Sequence, residues 1–351
     1  MGEEKLDNTV YTIRGLRDLA DLAQSKGDST TRSWATSKAD DLEKRFDKAW
    51  WFGPSAKQYA DSLDDPGNNK VFQRHWIGLT PVEAEIARPG RVPGPLAPDG
   101  HAKTLVQGRQ SACYTDTYGL FHTGTGATSD PKGNPGATCD SATSSTVSDR
   151  EVFTLTTSIM AVAEAALGRM GTDQLQRYTT GNATVQVDPK VWELPGAMPE
   201  ISPSPDFGAN IDKLLTERSS ALQAWGSYGI LWPVVHFQLG VSPDIGRGRF
   251  TVVPQVPDGQ SKVSGDNIRL GNGTISVAAT RTASRLTTRV RQSSSDRLTI
   301  GALLPAGASV KSVTLDGHPA PYDVVQTARG KQVRVDGGAE RGTSQLVVTT
   351  G

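Results

Sequence analysis

The spacing of hydrophobic residues changes once along the chain, near residue 247. Before it, apolar residues recur every three or four positions, as in amphipathic helices. After it, short segments such as residues 286–290 and 345–348 alternate apolar and polar residues, with turn sequences between them. We therefore predict an α+β multidomain chain, with a helical region over residues 1–246 and an antiparallel β-sandwich over residues 247–351.

The helical region opens with two amphipathic patterns separated by Gly27, which predicts an antiparallel helical hairpin. Further helices are predicted near residues 149–169, 172–183 and 217–239. Residues 219–243 contain no charged side chain. Because polar residues and a proline interrupt that stretch, we expect a helix buried on all sides and no membrane span. Buried and amphipathic helices alternate, as concentric rings of paired helices require.

The charge balance and the missing motifs exclude several functions. The chain has 37 basic and 37 acidic residues and no formal net charge, so it lacks the basic surface expected for nucleic acid binding. It has no glycine-rich phosphate loop, no Ser-His-Asp order and no zinc-ligand spacing, so we expect no cofactor and no metal. What remains is carboxylates and aromatic residues in loops beside helices. Cleavage of glycosides uses such groups, one acid to protonate the leaving oxygen and one carboxylate to activate water or attack.

The two cysteines, Cys113 and Cys139, flank a small, polar, glycine-rich segment. A disulfide between them would stabilise that segment and would imply an oxidising compartment, so we expect a secreted or extracytoplasmic protein. The alternative is two free cysteines and a cytoplasmic protein.

Glu200 lies within the proline-rich stretch LPGAMPEISPSPDFG, residues 194–208. Prolines fix φ and restrict the residues before them, so this connection is stiff and non-helical. Glu200 is therefore either an ordinary loop carboxylate or a group that a rigid loop holds for chemistry. The latter interpretation is favoured by a resemblance to a known family.

PGAMPEISPSPDFGANID followed by ALQAWGSYGILWPVVHFQLGVSPDIGRG resembles the end of the catalytic domain in six-hairpin, (α/α)6-barrel glycosidases, with the closest resemblance to glycogen-debranching or amylo-α-1,6-glucosidase-like proteins. DNTVYTIRGLRDLADLA and REVFTLTTSIMAVAEAALGRMG are similar to the same group. The resemblance covers most of residues 3–275. It implies a partial α/α toroid without roughly its first five helices, followed by a β-sandwich. It also implies an inverting, exo-acting hydrolase of an α-linked glucan or related oligosaccharide.

The resemblance also implies the catalytic pair. Glu200 matches the family's general base, before the helix that carries QAWG, and Glu217 ranks second. Glu3, with Glu4 as the adjacent option, matches the general acid, although a flexible terminus is the alternative interpretation. Aromatic and histidine residues near the expected barrel mouth are candidates for substrate binding, with a structural role as the alternative; they are Trp50, Trp51, His75, Trp76, His122 and Trp225.

Two other functions fit the same residues. One is a non-catalytic carbohydrate-binding or interaction protein on the same scaffold. The other is a polysaccharide lyase, for which Arg74, His75 and Trp76 are the available base and cation region. An incomplete toroid would expose apolar helix faces, so we also expect a truncated gene product, a processed chain, or another chain that supplies the missing helices.

Overall fold

The computed structural model describes residues 3–53, 57–64, 67–72, 74–124 and 150–351. The chain is α+β and divides into two compact units. The first comprises Met1–Leu167 and Gln174–Ile230, and the second comprises Gly168–Asp173 and Leu231–Gly351. The predicted division between residues 246 and 247 stays a prediction.

The first unit is built mainly from helices. Their bounds are α1 Leu6–Lys26, α2 Ser29–Trp50, α3 Thr80–Glu83, α4 Asp99–Arg109, α5 Thr154–Ala166, α6 Leu175–Val187 and α7 Trp225–Trp232. A 3-10 turn over Trp76–Leu79 leads directly into α3. Among the described residues, no helix combines the length and the apolar character needed to cross a bilayer.

The predicted hairpin of α1 and α2 is present, and its turn follows from two residues. Gly27 ends α1 in the left-handed conformation, with a φ of 72°, which glycine adopts without steric cost. Asp28 then caps α2 by accepting a hydrogen bond from the backbone N–H of Thr31 at 2.9 Å. The two helices pack along their length.

The other helices pack around α5. Helix α3 contacts both α1 and α5, and α6 packs along α5. Twelve consecutive side chains, from Thr156 to Leu167, are buried, so α5 is surrounded by protein. Helix α7 crosses α5 and α6 closely, because a Cβ at Gly229 would lie 2.3 Å from Ser158 Oγ and 2.6 Å from Asn182 Nδ2.

The helix predicted over residues 217–239 differs from the observed structure. Residues 218–224 form no helix, α7 ends at Trp232, and a π-helical turn follows over Pro233–Gln238. Pro233 has no N–H to donate to the preceding turn, which accounts for the change of helical register. The segment is also less buried than expected, since Leu222 is 83% exposed.

Short strands connect the helices of the first unit. They are β1 Glu4–Lys5, β2 Trp51–Phe52, β3 Gln58–Tyr59, β4 Ser62–Asp64, β5 Asn69–Val71, β6 Thr115–Asp116, β7 Gly119–Leu120, β8 Val152–Phe153 and β9 Ile201–Ser202. Strand β4 lies between β1 and β5, and β8 pairs with β9.

The second unit contains a sandwich-like arrangement of two sheets. Its strands are β10 Val241–Asp244, β11 Arg249–Val252, β12 Lys262–Leu270, β13 Gly273–Arg281, β14 Arg285–Gln292, β15 Arg297–Leu303, β16 Val310–Leu315, β17 His318–Pro319, β18 Asp323–Thr327, β19 Gly330–Gly338 and β20 Gly342–Thr350. One sheet has the order β10-β11-β15-β19-β18 and the other β12-β13-β14-β20-β16-β17. Only β11 and β15 pair in parallel among these strands.

The period-two pattern explains this unit. Alternate residues of its strands are buried and form one apolar core, including Phe250, Val277, Ile300 and Val348. An Asp-Gly turn joins β16 to β17, and both Asp316 and Gly317 have positive φ, as a tight hairpin turn requires.

Candidate active site

Backbone hydrogen bonds join the loops that precede α3, α5 and α7. The N–H of Trp76 donates to His122 O at 3.0 Å, and the N–H of His122 donates to Glu151 O at 2.8 Å. We call this set of loop segments the loop ladder; it comprises residues 74–76, 121–124, 151–154, 198–202 and 220–223. Since helices begin beside it, their N-terminal dipoles favour negative charge there.

Glu200 is held in the loop ladder from two sides. Its N–H donates to Ser220 O at 2.8 Å, and its carbonyl accepts from the N–H of Thr154 at 3.0 Å. The hydroxyl of Thr154 also donates to the carbonyl of Pro199 at 3.0 Å. The backbone of Glu200 is therefore fixed by the first residue of α5 and by the strand-like segment that leads into α7.

The Glu200 side chain is half-buried. Among the described residues, its carboxylate has no hydrogen-bond or ion-pair partner. Glu217 differs, because it is exposed in a short 3-10 turn. Glu193 differs as well, since it forms an ion pair with Arg218 that lowers the pKa of its carboxyl. Of these three acids, Glu200 combines a fixed backbone with an uncommitted carboxylate.

Two histidines of the loop ladder share a hydrogen bond whose donor and acceptor can be assigned. The N–H of Ile77 donates to His75 Nδ1 at 3.3 Å, so the neutral His75 ring carries its proton on Nε2. His75 Nε2 lies 3.0 Å from His122 Nε2. His75 must therefore donate and His122 accept, which places the proton of His122 on Nδ1.

The surroundings keep His75 neutral. Burial lowers its pKa the most, and nearby His122, Arg109 and Lys5 add to the shift, which brings the pKa of His75 to about 3. Both ring nitrogens of His75 are thus engaged within the chain. His122 is half-buried, and its hydrogen bond with His75 uses its Nε2.

Aromatic rings extend this group. Phe153 lies 5.0 Å from the His122 ring, and Trp76 lies 5.6 Å from the His75 ring. Trp76 and Phe153 are each half-buried. Phe153 also pairs with Ile201, the residue that follows Glu200. The aromatic group therefore lies next to the Glu200 segment.

Glu3 and Glu4 lie beside β4, and both are exposed. Glu4 pairs with Leu63 in a two-residue strand that ends where α1 begins. The following residue, Lys5, is close enough to His75 to lower the pKa of its imidazole. The start of the chain is therefore near the histidine pair of the loop ladder.

The other tryptophans predicted as substrate-binding residues lie in different surroundings. Trp50 is part of the core, with 3% of its surface exposed. Trp51 stacks on His101 at 3.8 Å, with the rings nearly parallel. Trp225 is half-buried at the start of α7, and its carbonyl accepts from Ser158 Oγ at 3.1 Å.

A buried arginine supports the ladder and has no clear signal in the sequence. Arg109 ends α4, where a basic residue is expected to be solvated, yet it is completely buried. Its Nη1 donates to Arg74 O at 3.0 Å, and its Nε donates to Gln58 Oε1 at 2.9 Å. Arg109 therefore fixes the backbone carbonyl of Arg74, the residue before His75. Burial lowers the pKa of the Arg109 guanidinium.

Within the described ranges, no three His, Cys, Asp or Glu side chains are grouped as metal ligands. Cys139 lies outside the described residues, so the predicted disulfide with Cys113 stays a prediction.

Comparison with known proteins identifies similar folds. No protein-family model and no curated protein matches the chain. A solved structure titled as a sialidase aligns with a TM-score of 0.53 and 12% identity, over 78% of this chain and 23% of that one. At this identity the similarity concerns the fold alone.

Two α-L-rhamnosidase structures also align, from Dictyoglumus thermophilum (TM-score 0.48, 12% identity) and from Streptomyces avermitilis, solved with L-rhamnose (TM-score 0.47, 13% identity). Each alignment covers 97% of this chain, and 31% and 26% of those chains respectively. Because these TM-scores are below 0.5, we base no conclusion on them. This chain spans less than a third of the length of each of these three proteins.

Proposed function

We propose that the chain carries part or all of the active site of an inverting, exo-acting glycoside hydrolase, with Glu200 as the general base. One observation carries the proposal. The backbone of Glu200 is fixed on two sides, while its half-buried carboxylate has no partner among the described residues. A base that must hold a water requires this combination of fixed position and uncommitted oxygen atoms.

Glu3, or the adjacent Glu4, is proposed as the general acid. The closeness of Lys5 to His75 supports this, because it brings the start of the chain to the histidine pair beside the Glu200 segment. In an inverting mechanism the acid protonates the leaving oxygen, while the base removes a proton from the attacking water. The two carboxyl groups then lie roughly 6.5–9.5 Å apart to leave room for that water.

The proposed substrate is an α-linked glucan or a related oligosaccharide. Half-buried Trp76 and Phe153 offer apolar ring faces to a sugar. His122, which lies beside Phe153, keeps its predicted role in substrate binding. His75 then acts by orienting His122. The low pKa of His75, about 3, makes it a weak base and disfavours a lyase mechanism that relies on it.

A partial α/α toroid completed by another chain is also proposed. Helix α1 buries one face against the first unit, yet Leu19 and Leu22 on its opposite face are exposed. Exposed apolar residues at this spacing suit a packed helix better than water. A secreted or extracytoplasmic location is proposed with the Cys113–Cys139 disulfide.

A non-catalytic carbohydrate-binding protein is the second candidate. It is favoured by the exposure of Glu3 and Glu4, since a general acid commonly needs a partly buried site to keep its proton.

The test compares Glu200→Gln with wild type for release of reducing sugar from a panel of α- and β-linked oligosaccharides. We expect wild type to cleave an α-linked glucan and Glu200→Gln to lose about a thousandfold in kcat. Glu217→Gln is the matched control, because it changes a nearby exposed acid. Binding of glycan without turnover, unchanged in Glu200→Gln, would favour the second candidate.

A further inference from the structure

Glu83 is a buried carboxylate that the proposed mechanism does not use. It ends the short helix α3 and exposes only 6% of its surface. Burial raises the pKa of its carboxyl. Because a buried carboxylate is costly unless it is hydrogen-bonded, its contacts indicate what it does.

Two tyrosines from different helices donate to Glu83. The hydroxyl of Tyr11, on α1, donates to Oε2 at 3.2 Å. The hydroxyl of Tyr228, on α7, donates to Oε1 in a close contact. Each carboxylate oxygen therefore binds a different helix, and the two tyrosines lie 72 and 145 positions from Glu83 in sequence.

These two helices follow the two segments that carry the proposed acid and base. Helix α1 begins directly after β1, which contains Glu4. Helix α7 begins directly after the residues that hold Glu200, since Met198 bridges to Leu222 and the N–H of Gln223 donates to Met198 O at 2.9 Å. A contact between α1 and α7 therefore connects both segments through rigid elements.

We propose that Glu83 is a positioning residue that holds α1 and α7 at a fixed spacing, and thereby fixes the distance between Glu200 and the acid at Glu3 or Glu4. This inference rests on the proposed function for those roles. The coupling of the two segments through Glu83 is a physical property that can be measured without any substrate.

Hydrogen exchange measured by mass spectrometry tests the coupling. In Tyr228→Phe, amides of residues 4–12 should exchange about tenfold faster, because α1 loses its link to α7. In Tyr11→Phe, residues 198–202 should respond in the same direction. Glu83→Gln should stay close to wild type, since an amide can accept from one phenol and donate to the other.

The matched control is Tyr178→Phe on α6. It removes a buried phenol hydroxyl that lies 3.3 Å from the hydroxyl of Thr115 on β6. It should leave residues 4–12 unchanged. Faster exchange confined to the mutated helix, or an equal response in Tyr178→Phe, would overturn the proposal.

Kinetics test the positioning role separately. With a cleaved glycan, Tyr11→Phe and Tyr228→Phe should each lower kcat about tenfold with little change in KM, whereas Glu83→Gln should retain most of the wild-type kcat. An unchanged kcat in Tyr228→Phe would overturn the positioning role. If wild type cleaves no glycan, the proposed function fails, and the exchange data alone decide whether Glu83 couples the two segments.

Discussion

The segments that carry Glu200 and Glu4 are held in different ways. The Glu200 segment has backbone hydrogen bonds to Ser220 on one side and Thr154 on the other. The Glu4 segment is an edge strand of two residues that pairs only with β4 among the described strands. Backbone hydrogen bonds on both sides therefore fix the position of Glu200. The position of Glu4 depends instead on one strand pairing and on helix α1, which follows it.

The largest predicted effect concerns His75, which belongs to the loop ladder and lies near Lys5 of the Glu4 segment. Its folded pKa of about 3 is below the ordinary value of 6.5. Between these values only the unfolded chain binds the proton, so the free energy of unfolding falls as pH falls. The loss is about 1.4 kcal/mol per pH unit, or roughly 4–5 kcal/mol over the whole window.

Urea unfolding followed by tryptophan fluorescence from pH 7 to pH 3.5 measures this loss. Six of the seven tryptophans belong to the first unit, with Trp232 in the second. His75→Gln should have a shallower pH slope than wild type, while His318→Gln, at an exposed site, should not. Equal slopes in wild type and His75→Gln would contradict the account.

The next largest effect concerns the packing of α7. In Gly229→Ala the new methyl group meets the backbone of Ser158 at 2.5 Å, so α7 must shift away from α5. We expect a loss of about 2–3 kcal/mol in the free energy of unfolding. Gly15→Ala is the control on α1, where no atom lies within 4 Å of the added Cβ. It should gain about 0.5–1 kcal/mol, since alanine is the better helix former. Destabilisation by both variants would show that close packing of α7 is not the cause.

Removing one side-chain hydroxyl that bonds to each segment compares how strongly the Glu200 and Glu4 segments are held. Thr154→Val removes the donor to Pro199 O, and we expect a loss of about 1–2 kcal/mol and faster hydrogen exchange over residues 198–202. Thr9→Val removes a longer bond, 3.3 Å, to Lys5 O in the edge segment. Its expected cost is below about 0.5 kcal/mol. A larger loss of free energy of unfolding in Thr9→Val than in Thr154→Val would contradict this comparison.

The smallest predicted effect tests whether the edge segment lies near the pair of histidines. Lys5→Met removes a positive charge that lowers the pKa of His75. The acid limb of the stability curve should therefore move to higher pH by a few tenths of a unit. Arg32→Met, at an exposed site on α2, is the control. No shift in Lys5→Met would place β1 farther from His75 than described.

Local features were predictable from the sequence, and contacts between distant segments were not. The α1–α2 turn at Gly27 and the Asp316-Gly317 hairpin follow from backbone preferences of one or two residues. The backbone clamp on Glu200 depends on residue 220 and on the start of α5, so prolines predicted a stiff loop but not its partners. Glu83 gave no signal in its own stretch, because its two partners lie on other helices. The non-helical course of residues 218–224 was missed because an uncharged run fits a buried helix equally well.

Chemical rescue of Glu200→Ala by azide tests the central claim most directly. Removing the base leaves room for a small anion that attacks the anomeric carbon while the proposed acid protonates the leaving oxygen. We predict that azide restores turnover in Glu200→Ala and yields a glycosyl azide of inverted anomeric configuration, whereas Glu217→Ala retains ordinary hydrolysis. An active wild-type enzyme with no azide rescue in Glu200→Ala, or a product of retained configuration, would contradict the assignment of Glu200 as the general base.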